Sequence, residues 1–400
     1  MNKKKITIIL MVFLAIFSTI MLVVNRDNVE ITNEVGNKSK KSNNLLTMNL
    51  EQTAGAGDYK TVTQSEWPTE GYKFNSELSR CENGSELSWD DVNKKILMSG
   101  VSADKCYVYF DIARFDKLCN TSTLACHVAK LYTGTQGENG IYYHNTSLTN
   151  GAGDNNYRYA GANPNNYICL GSDATTCPDD NLFRIIGVFG DKVKVIKDKS
   201  VVKMHWDTSN YNTWSISSLN TYLNGTYLTS IGTLSDKIDV ATWKVGGNTW
   251  DNISVSTAKE VYDYEIKNPS TTASTGETEY SAKIGLMYVS DYMFAVLQDN
   301  WTLVAYNSND ATKDYRAIKA ENWLYLGSDE YTITRSSKNS ADVFAIYSSG
   351  EVYSYSVSCN SDEPLPCMAY KKYARPSFYL ISSVEYSGGT GTSSDPIRIN

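Results

Sequence analysis

The residues with the greatest potential for chemistry in this 400-residue chain are carboxylates, and their spacing forms no recognisable catalytic pair. Glycoside hydrolysis needs two carboxyl groups roughly 5–10 Å apart across a cleft. The candidates are Asp179, Asp180, Asp291 and Glu321, but the sequence cannot place any two of them face to face. Each is more simply explained as a cap or a surface charge. A glycan-acting or cell-wall-acting hydrolase is therefore the alternative function, and no catalytic residue is predicted.

The other nucleophiles and bases give no stronger signal. His127 follows Cys126 directly, but a nucleophile and its base must meet in space, and adjacent side chains point apart in most backbones. His205 stands beside Trp206 and Asp207, which favours a structural cluster. The chain has no G-x-S-x-G, H-E-x-x-H or G-x-x-x-x-G-K-[ST] motif. The sequence therefore predicts a protein without enzymatic activity or cofactor.

A stretch dense in Gly, Asn and Asp, residues 134–166, has two interpretations. The first is turn chemistry, because these residues supply the positive-φ positions that tight turns need. The second is a calcium or sugar site at Asp154, Asn155 and Asn156, whose oxygens suit a hard cation. The chain lacks the D-x-[DN]-x-[DN]-G pattern of a calcium loop, which favours the turn interpretation.

Eight cysteines fall into four sequence-local pairs. A zinc site would need C-x-x-C spacing, which does not occur, so no metal is expected. An even number of cysteines in an exported chain is typical of disulfides, each stabilising by about 2–4 kcal/mol. The sequence is also compatible with other pairings of the eight cysteines. Nearest-neighbour pairing predicts the bridges Cys81–Cys106, Cys119–Cys126, Cys169–Cys177 and Cys359–Cys367.

The first 25 residues predict export. Three consecutive lysines precede an apolar run, residues 6–24, which as a helix would be roughly 28 Å long and could span a bilayer. No small-residue cleavage site follows it, so we expect an uncleaved signal anchor with the rest of the chain outside; the alternative is secretion after cleavage. Residues 26–57 are polar and predict a flexible stalk, although residues 45–50 could be a first strand.

Composition limits the partners. The net charge of −7 and the absence of a basic patch beyond the N-terminus argue against a nucleic-acid partner. The chain has 29 Tyr but only 10 Phe, and tyrosine suits both half-exposed strand positions and contact surfaces. Oligomeric state cannot be read from the sequence.

Alternating apolar residues and turn signals predict the elements that position these groups. Short strands separated by Gly, Pro and Asn indicate a small β domain over residues 58–112, and residues 113–156 form a helical and loop connector. Residues 182–189 and 192–197 indicate a buried hairpin. A helix is expected after Ser215, ending at Gly225, and further strands at 282–289, 323–326, 331–335, 343–348, 351–356 and 374–380.

Several segments carry a resemblance to a known group of proteins: SRCENGSELSWDD and SADKCYVYFD, then GENGIYYHNTSL, NYICLGSD, CPDDNLFRIIGVFGDKVKVIKD and the tail SGGTGTSSDPIRI. They resemble uncharacterised surface proteins of Gram-positive gut bacteria. The C-terminal domain of those proteins is similar to the formylglycine-generating-enzyme branch of the C-type-lectin-like fold. That enzymatic activity is not expected here, since it needs free cysteines and every cysteine here has a near neighbour.

The resemblance completes the prediction. The fold class is α+β: a membrane anchor, a small β-sandwich-like domain and, over residues 157–400, a loop-rich C-type-lectin-like domain in which the strands at residues 182–189 and 374–380 pair. Its long loops imply a ligand site at Trp301, Asn322, Trp323, Arg335 and Tyr347, because aromatic faces beside amide and charged groups hold sugars and peptides. The predicted function is noncatalytic binding or adhesion to a glycan or surface protein, at the cell membrane and facing outward.

Overall fold

The computed structural model describes residues 29–32, 45–52, 57–63, 67–68, 72–90, 93–101, 103–119, 121–249, 253–269, 277–357 and 371–399. The protein is α+β, rich in strands and with few helices over these ranges, as the sequence predicts. The chain divides into two compact units, Met1–Leu118 and Cys119–Asn400. Residues 119–156, expected to be part of a connector, thus belong to the second unit. None of the described helices is long and apolar enough to cross a membrane; the predicted anchor, residues 1–25, lies outside the described ranges.

The first unit consists of short strands followed by one helical turn. Its elements are β1 Val29–Thr32, β2 Leu45–Glu51, β3 Tyr59–Val62, β4 Tyr72–Phe74, β5 Arg80–Cys81, β6 Glu86–Asp90, β7 Lys95–Ser99, β8 Lys105–Ile112 and α1 Phe115–Leu118. The described strands form two sheets, ordered β1-β7-β6 and β3-β2-β8-β4, with β5 beside β8.

Both sheets of the first unit contribute to one hydrophobic cluster. Met48, Leu50 and Phe110 come from the larger sheet and Ile96 from the smaller one, and Trp67 packs against them. Two of these strands, β1 and β2, fall within the segment expected to be a stalk. Strand β2 is ordered because it buries Met48 and Leu50 while pairing in parallel with β8.

The second unit has longer strands in its middle and several single helical turns. Its strands are β9 Ile141–Tyr143, β10 Tyr157–Tyr159, β11 Tyr167–Cys169, β12 Leu182–Phe189, β13 Lys192–Lys197, β14 Val202–Met204, β15 Ala241–Lys244, β16 Gly247–Asn248, β17 Glu279–Ala282, β18 Ile284–Gly285, β19 Glu330–Ser336, β20 Asp342–Ile346, β21 Val352–Ser356, β22 Lys372–Ala374, β23 Ser377–Tyr379, β24 Tyr386–Gly388 and β25 Arg398–Ile399. Its α-helices are α2 Leu124–Lys130, α3 Ser218–Tyr222, α4 Leu228–Ser230, α5 Ala258–Tyr262 and α6 Val289–Phe294.

Two sheets organise the second unit. The described part of one has the order β18-β23-β13-β12-β10-β9, with β11 also on β12, and that of the other has the order β14-β22-β19-β20-β21, with β16 on β19. The predicted hairpin, β12 and β13, lies in the middle of the first sheet and pairs antiparallel. Its apolar residues are buried, as the almost unbroken apolar run of β12 requires.

The predicted strand at residues 374–380 is wrong as a single element. It is split at Arg375-Pro376, because the chain leaves β22 in one sheet and enters β23 in the other. Pro376 has no N–H to donate and a fixed φ, which suits the crossing point. The expected pairing of residues 182–189 with this segment is also wrong: β23 pairs with β13, one strand further along the sheet.

Two local predictions are corrected as well. The helix after Trp214 is capped by Ser217, whose hydroxyl accepts from Asn220 N, rather than by Ser215. It continues as a π-helical turn past Gly225, since Leu223 and Tyr227 are buried on its inner face. Residues 323–326 form a turn and a stretch without regular structure rather than a strand, because the Asn322 side chain accepts from Leu324 N (2.9 Å) and bends the backbone there.

The local disulfide pairing is confirmed for three bridges in the described ranges: Cys81–Cys106, Cys119–Cys126 and Cys169–Cys177. Cys359 and Cys367 lie outside those ranges. Asp104 lies beside the first bridge, but both thiols there are already joined. Burial alone would raise the pKa of Asp104; hydrogen bonds from Ser85, Asn83 and Lys105 lower it to about 2. This corner of the first unit is therefore a structural turn.

Candidate functional site

Four of the five predicted ligand-binding residues are buried. Trp301, Asn322, Trp323 and Arg335 are each at most 4 % exposed. Each side chain donates to a backbone oxygen: Trp301 Nε1 to Val296 (2.9 Å), Asn322 Nδ2 to Tyr292 (2.8 Å), Trp323 Nε1 to Tyr159 (3.0 Å) and Arg335 Nη2 to Glu277 (2.5 Å). In this conformation the four side chains pack in the interior and hydrogen-bond to its backbone, and they do not share one open surface with Tyr347.

Tyr347 belongs to a group of tyrosines that reaches solvent, here called the tyrosine cluster: Tyr306, Tyr347, Tyr353 and Tyr355. The ring of Tyr353 contacts Tyr306 (centroids 5.3 Å apart) and Tyr347 (5.7 Å) edge to face, and Tyr347 contacts Tyr355 (6.0 Å). Tyr353 is 38 % exposed, and the other three are half-buried. Of these four tyrosines the sequence analysis selected only Tyr347. The alternation of tyrosine with other residues in the predicted strand 351–356 was the available signal that Tyr353 and Tyr355 share one face.

The β20–β21 hairpin positions the tyrosine cluster. Tyr353 and Tyr355 are two residues apart on β21, so they lie on the same face of the sheet. The turn is closed by Tyr347 N donating to Glu351 O (2.9 Å) and Gly350 N donating to Tyr347 O (2.8 Å). Gly350 has a φ of 108°, and a Cβ there would lie 2.7 Å from that of Lys319. The turn therefore requires glycine.

A cation lies against this tyrosine cluster. Lys372 Nζ is 3.8 Å from the ring centroid of Tyr355 and 5.2 Å from that of Tyr347. Asp329 holds the same ammonium at 2.5 Å. Hydroxyl-bearing rings with a lysine and a carboxylate beside them offer stacking and hydrogen bonding together, which is the chemistry that recognises sugars and peptide side chains.

A second concentration of functional groups is buried in the first sheet of the second unit. Cross-strand partners place Arg158, Gly187, Lys194 and Tyr379 in one row across β10, β12, β13 and β23. Arg158 and Lys194 therefore share one face of the sheet, with a glycine between them. A Cβ at Gly187 would lie 2.0 Å from the backbone oxygen of Tyr157, so this position in the row cannot carry a side chain.

Two carboxylates pair with these two cations, and a third carboxylate is buried nearby. Asp154 accepts both Arg158 Nη atoms (2.9 and 2.5 Å), and Asp291 lies 2.5 Å from Lys194 Nζ. Burial opposes the charge of Asp154, but Arg158 outweighs it and holds its pKa far below the usual range. The third carboxylate, Glu265, accepts Val289 N, Ser290 N and the Thr334 hydroxyl; burial nevertheless raises its pKa to about 7.

The proposed calcium ligands have other roles. Asp154 is committed to Arg158, Asn155 Oδ1 accepts the hydroxyl of Tyr143 (3.1 Å), and Asn156 Oδ1 accepts Gly190 N (2.8 Å). Asn155 also has a φ of 57°. These contacts agree with the turn interpretation of the segment.

Three of the four carboxylates considered for hydrolysis each have a different partner. Exposed Asp179 pairs with Lys199 (2.5 Å), Asp291 with Lys194, and Glu321 accepts Asn300 Nδ2 (3.0 Å). His127 stacks on Tyr386 with centroids 3.6 Å apart. In these contacts each of the three carboxylates faces a cation or an amide, and His127 faces an aromatic ring.

A polar cleft of about 640 Å³ lies beside the Cys169–Cys177 loop. Arg398 enters it and donates to the backbone oxygens of Ser172 (3.1 Å) and Thr175 (3.1 Å). Small hydroxyl and charged residues make up most of its lining: Ser172, Asp173, Thr175, Thr233, Lys237, Ser387 and Asp395. Its chemistry is less specific than that of the tyrosine cluster because its lining has no aromatic side chain.

The sequence analysis selected Asp154 and Asp291 for other roles and missed Arg158, Lys194 and Glu265. Arg158 lies between two tyrosines on β10 and Lys194 between two valines on β13, and such positions are the available signal for a paired interior cation. Glu265 had no comparable signal, since the segment around it is polar. No family model, curated protein or solved structure matches the chain. Its function is therefore inferred from its own geometry.

Proposed function

We propose that this protein is an outward-facing, noncatalytic binding or adhesion protein whose tyrosine cluster contacts a glycan or surface-protein ligand. The observation that carries the proposal is the cluster itself: four ring-contacting tyrosines with Tyr353 38 % exposed and Lys372 against two of them. Contact surfaces are enriched in tyrosine because its rigid ring buries a large area while its hydroxyl finds a partner.

An extracellular location supports this role. The three described disulfides are typical of an oxidising compartment. Residues 1–25 would hold the chain at the cell membrane as a single-pass signal anchor, with secretion after cleavage as the alternative. In either arrangement the tyrosine cluster would face the surroundings of the cell.

The finer fold assignment belongs to the same proposal. The two sheets of the first unit share one hydrophobic cluster, which supports a β-sandwich-like domain. In the second unit, bridges join Thr123 to Glu385 and Ile168 to Ile397, so its beginning and end meet. Meeting termini and many single turns support the C-type-lectin-like assignment and the relation to surface proteins of Gram-positive gut bacteria.

Binding of the full-length chain, held in detergent, to a glycan array and an array of extracellular matrix proteins tests the proposal. We expect a defined set of ligands, and we expect Tyr353→Ala to weaken binding at least roughly tenfold, as removal of an exposed aromatic contact does. Tyr264→Ala is the matched control, because Tyr264 is also 38 % exposed but lies outside the cluster. Equal binding by both variants, or no ligand on either array, would contradict the proposal.

A further inference from the structure

The Lys194–Asp291 pair brings an amine and a carboxyl group into contact in the interior of the second unit. The residues are 97 positions apart in sequence, on β13 and α6, yet Lys194 Nζ and Asp291 Oδ2 are separated by only 2.5 Å. Their side chains are 1 % and 5 % exposed. Rigid placement of an amine against a carboxyl group converts a bimolecular condensation into an intramolecular one, with effective molarities of roughly 10⁵–10⁸ M in well-oriented cases.

Aromatic rings enclose the lysine. Its Nζ lies 4.5 Å from the ring centroid of Tyr288, 5.5 Å from Trp243, 5.6 Å from Tyr379 and 5.7 Å from Phe189. Burial in this environment lowers the pKa of Lys194, although Asp291 opposes the shift. Burial disfavours the ammonium form of Lys194, and the neutral amine is the form that can attack a carboxyl carbon.

A third group is available to move protons. Glu265 is fixed on the backbone N–H groups of Val289 (3.1 Å) and Ser290 (3.0 Å), the two residues that precede Asp291. Its side chain is also buried. Glu265 interacts electrostatically with both Lys194 and Asp291, and because burial raises its pKa to about 7 it can take up and release a proton near neutral pH.

We propose that Lys194 and Asp291 condense to form an intramolecular amide bond, with Glu265 transferring the proton. A proton first passes from the Lys194 ammonium to the Asp291 carboxylate. The neutral amine then attacks Asp291 Cγ and forms the N–C bond. Glu265 takes a second proton from nitrogen and delivers it to the leaving hydroxyl, so the C–O bond breaks and water departs. An ammonium and a carboxylate contain all the atoms of one amide and one water, so no oxidant or other reactant is needed.

Burial distinguishes this pair from other lysine–aspartate pairs in the protein. Lys192 Nζ lies 2.6 Å from Asp239, at nearly the same distance, but those side chains are 38 % and 23 % exposed. Water stabilises the charged forms there, and the pair stays ionic. The amide between Lys194 and Asp291 would fasten the middle strand of the first sheet to α6, and it would resist denaturants that separate an ion pair.

The mass of the full-length protein decides whether the bond exists. After reduction of the disulfides, we expect each chain to be lighter by one water than its sequence requires, and a protease digest to contain a branched peptide joining Lys194 to Asp291. The Lys192 and Asp239 peptides serve as an internal control and should be recovered separately. A chain with the full sequence mass, or a water loss mapped to another pair, would overturn the proposal.

Two variants test the roles of the residues. Lys194→Arg keeps the positive charge but should restore the full sequence mass. Glu265→Gln keeps the shape of the side chain but cannot transfer the proton, so freshly synthesised protein should lose water at least roughly a hundredfold more slowly. A Glu265→Gln chain that cross-links as fast as the native chain removes Glu265 from the mechanism. If that variant does not fold, the dependence of the native rate on pH near 7 decides the same point: a flat profile excludes Glu265.

Discussion

Arg375 fixes the crossing between the two sheets of the second unit, and its replacement by methionine should strongly destabilise that unit. Arg375 Nε donates to Glu330 Oε1 on β19 (2.5 Å), and Nη2 donates to Leu324 O (2.6 Å). The side chains of Arg375 and Glu330 are 1 % and 3 % exposed. Methionine fills a similar volume but leaves the Glu330 carboxylate buried without its cation.

The expected loss follows from that burial. Burial raises the pKa of Glu330, and Arg375 opposes the shift. Removing one partner of a buried ion pair costs about 3–5 kcal/mol, whereas replacing both by apolar groups is often neutral. Arg375→Met should therefore lower the free energy of unfolding by about 3–5 kcal/mol, and a second change, Glu330→Met, should restore most of it. The deficit of the single variant should shrink at low pH, because protonation removes the uncompensated charge.

Urea unfolding of the full-length chain measures both variants. The fluorescence of buried Trp206, Trp214 and Trp243 reports on the second unit. Lys199→Met is the control: it breaks the exposed Lys199–Asp179 pair and should leave the transition unchanged. If Arg375→Met and the double variant unfold at the same urea concentration, the buried ion pair does not hold the crossing and the reasoning is refuted.

Three further predictions use the same chain. Truncation before Lys372 removes β22 and β23, one from each main sheet, so the unfolding transition of the second unit should disappear in calorimetry; an unchanged transition would make these strands appendages. Replacing Cys169 and Cys177 by serine should cost about 2–3 kcal/mol in denaturant unfolding for this short loop, and no change would show that the bridge does not constrain the unfolded chain. Burial holds the pKa of His144 well below its usual value, so the unfolded state binds the proton more readily than the folded state does. The free energy of unfolding should therefore decrease as the pH falls below about 6.5, by up to about 1.4 kcal/mol per pH unit from this residue. In His144→Phe that contribution should vanish, and an identical dependence of stability on pH in both proteins would contradict the assignment.

The sequence determined features that depend on local pattern. Three disulfides join neighbouring cysteines, because a short loop brings its ends together at little entropic cost. The hairpin β12–β13 and the strand β21 followed from apolar runs, alternation and turn residues. The α+β class followed in the same way, since strands and helices differ in the period of their buried residues.

Contacts between residues far apart in the sequence decided which side chains are buried and which charges pair. Trp301 and Trp323 could have faced a ligand or the core, and only the packing of the second unit buries them. Lys194 reads as the polar member of an alternating strand, yet 97 residues further along the chain Asp291 and the rings around it turn that position into a buried, reactive pair. A single sequence records which side chains are charged. The order of the strands and the helices laid over them decide which charges lose their water, and so which of them can do chemistry.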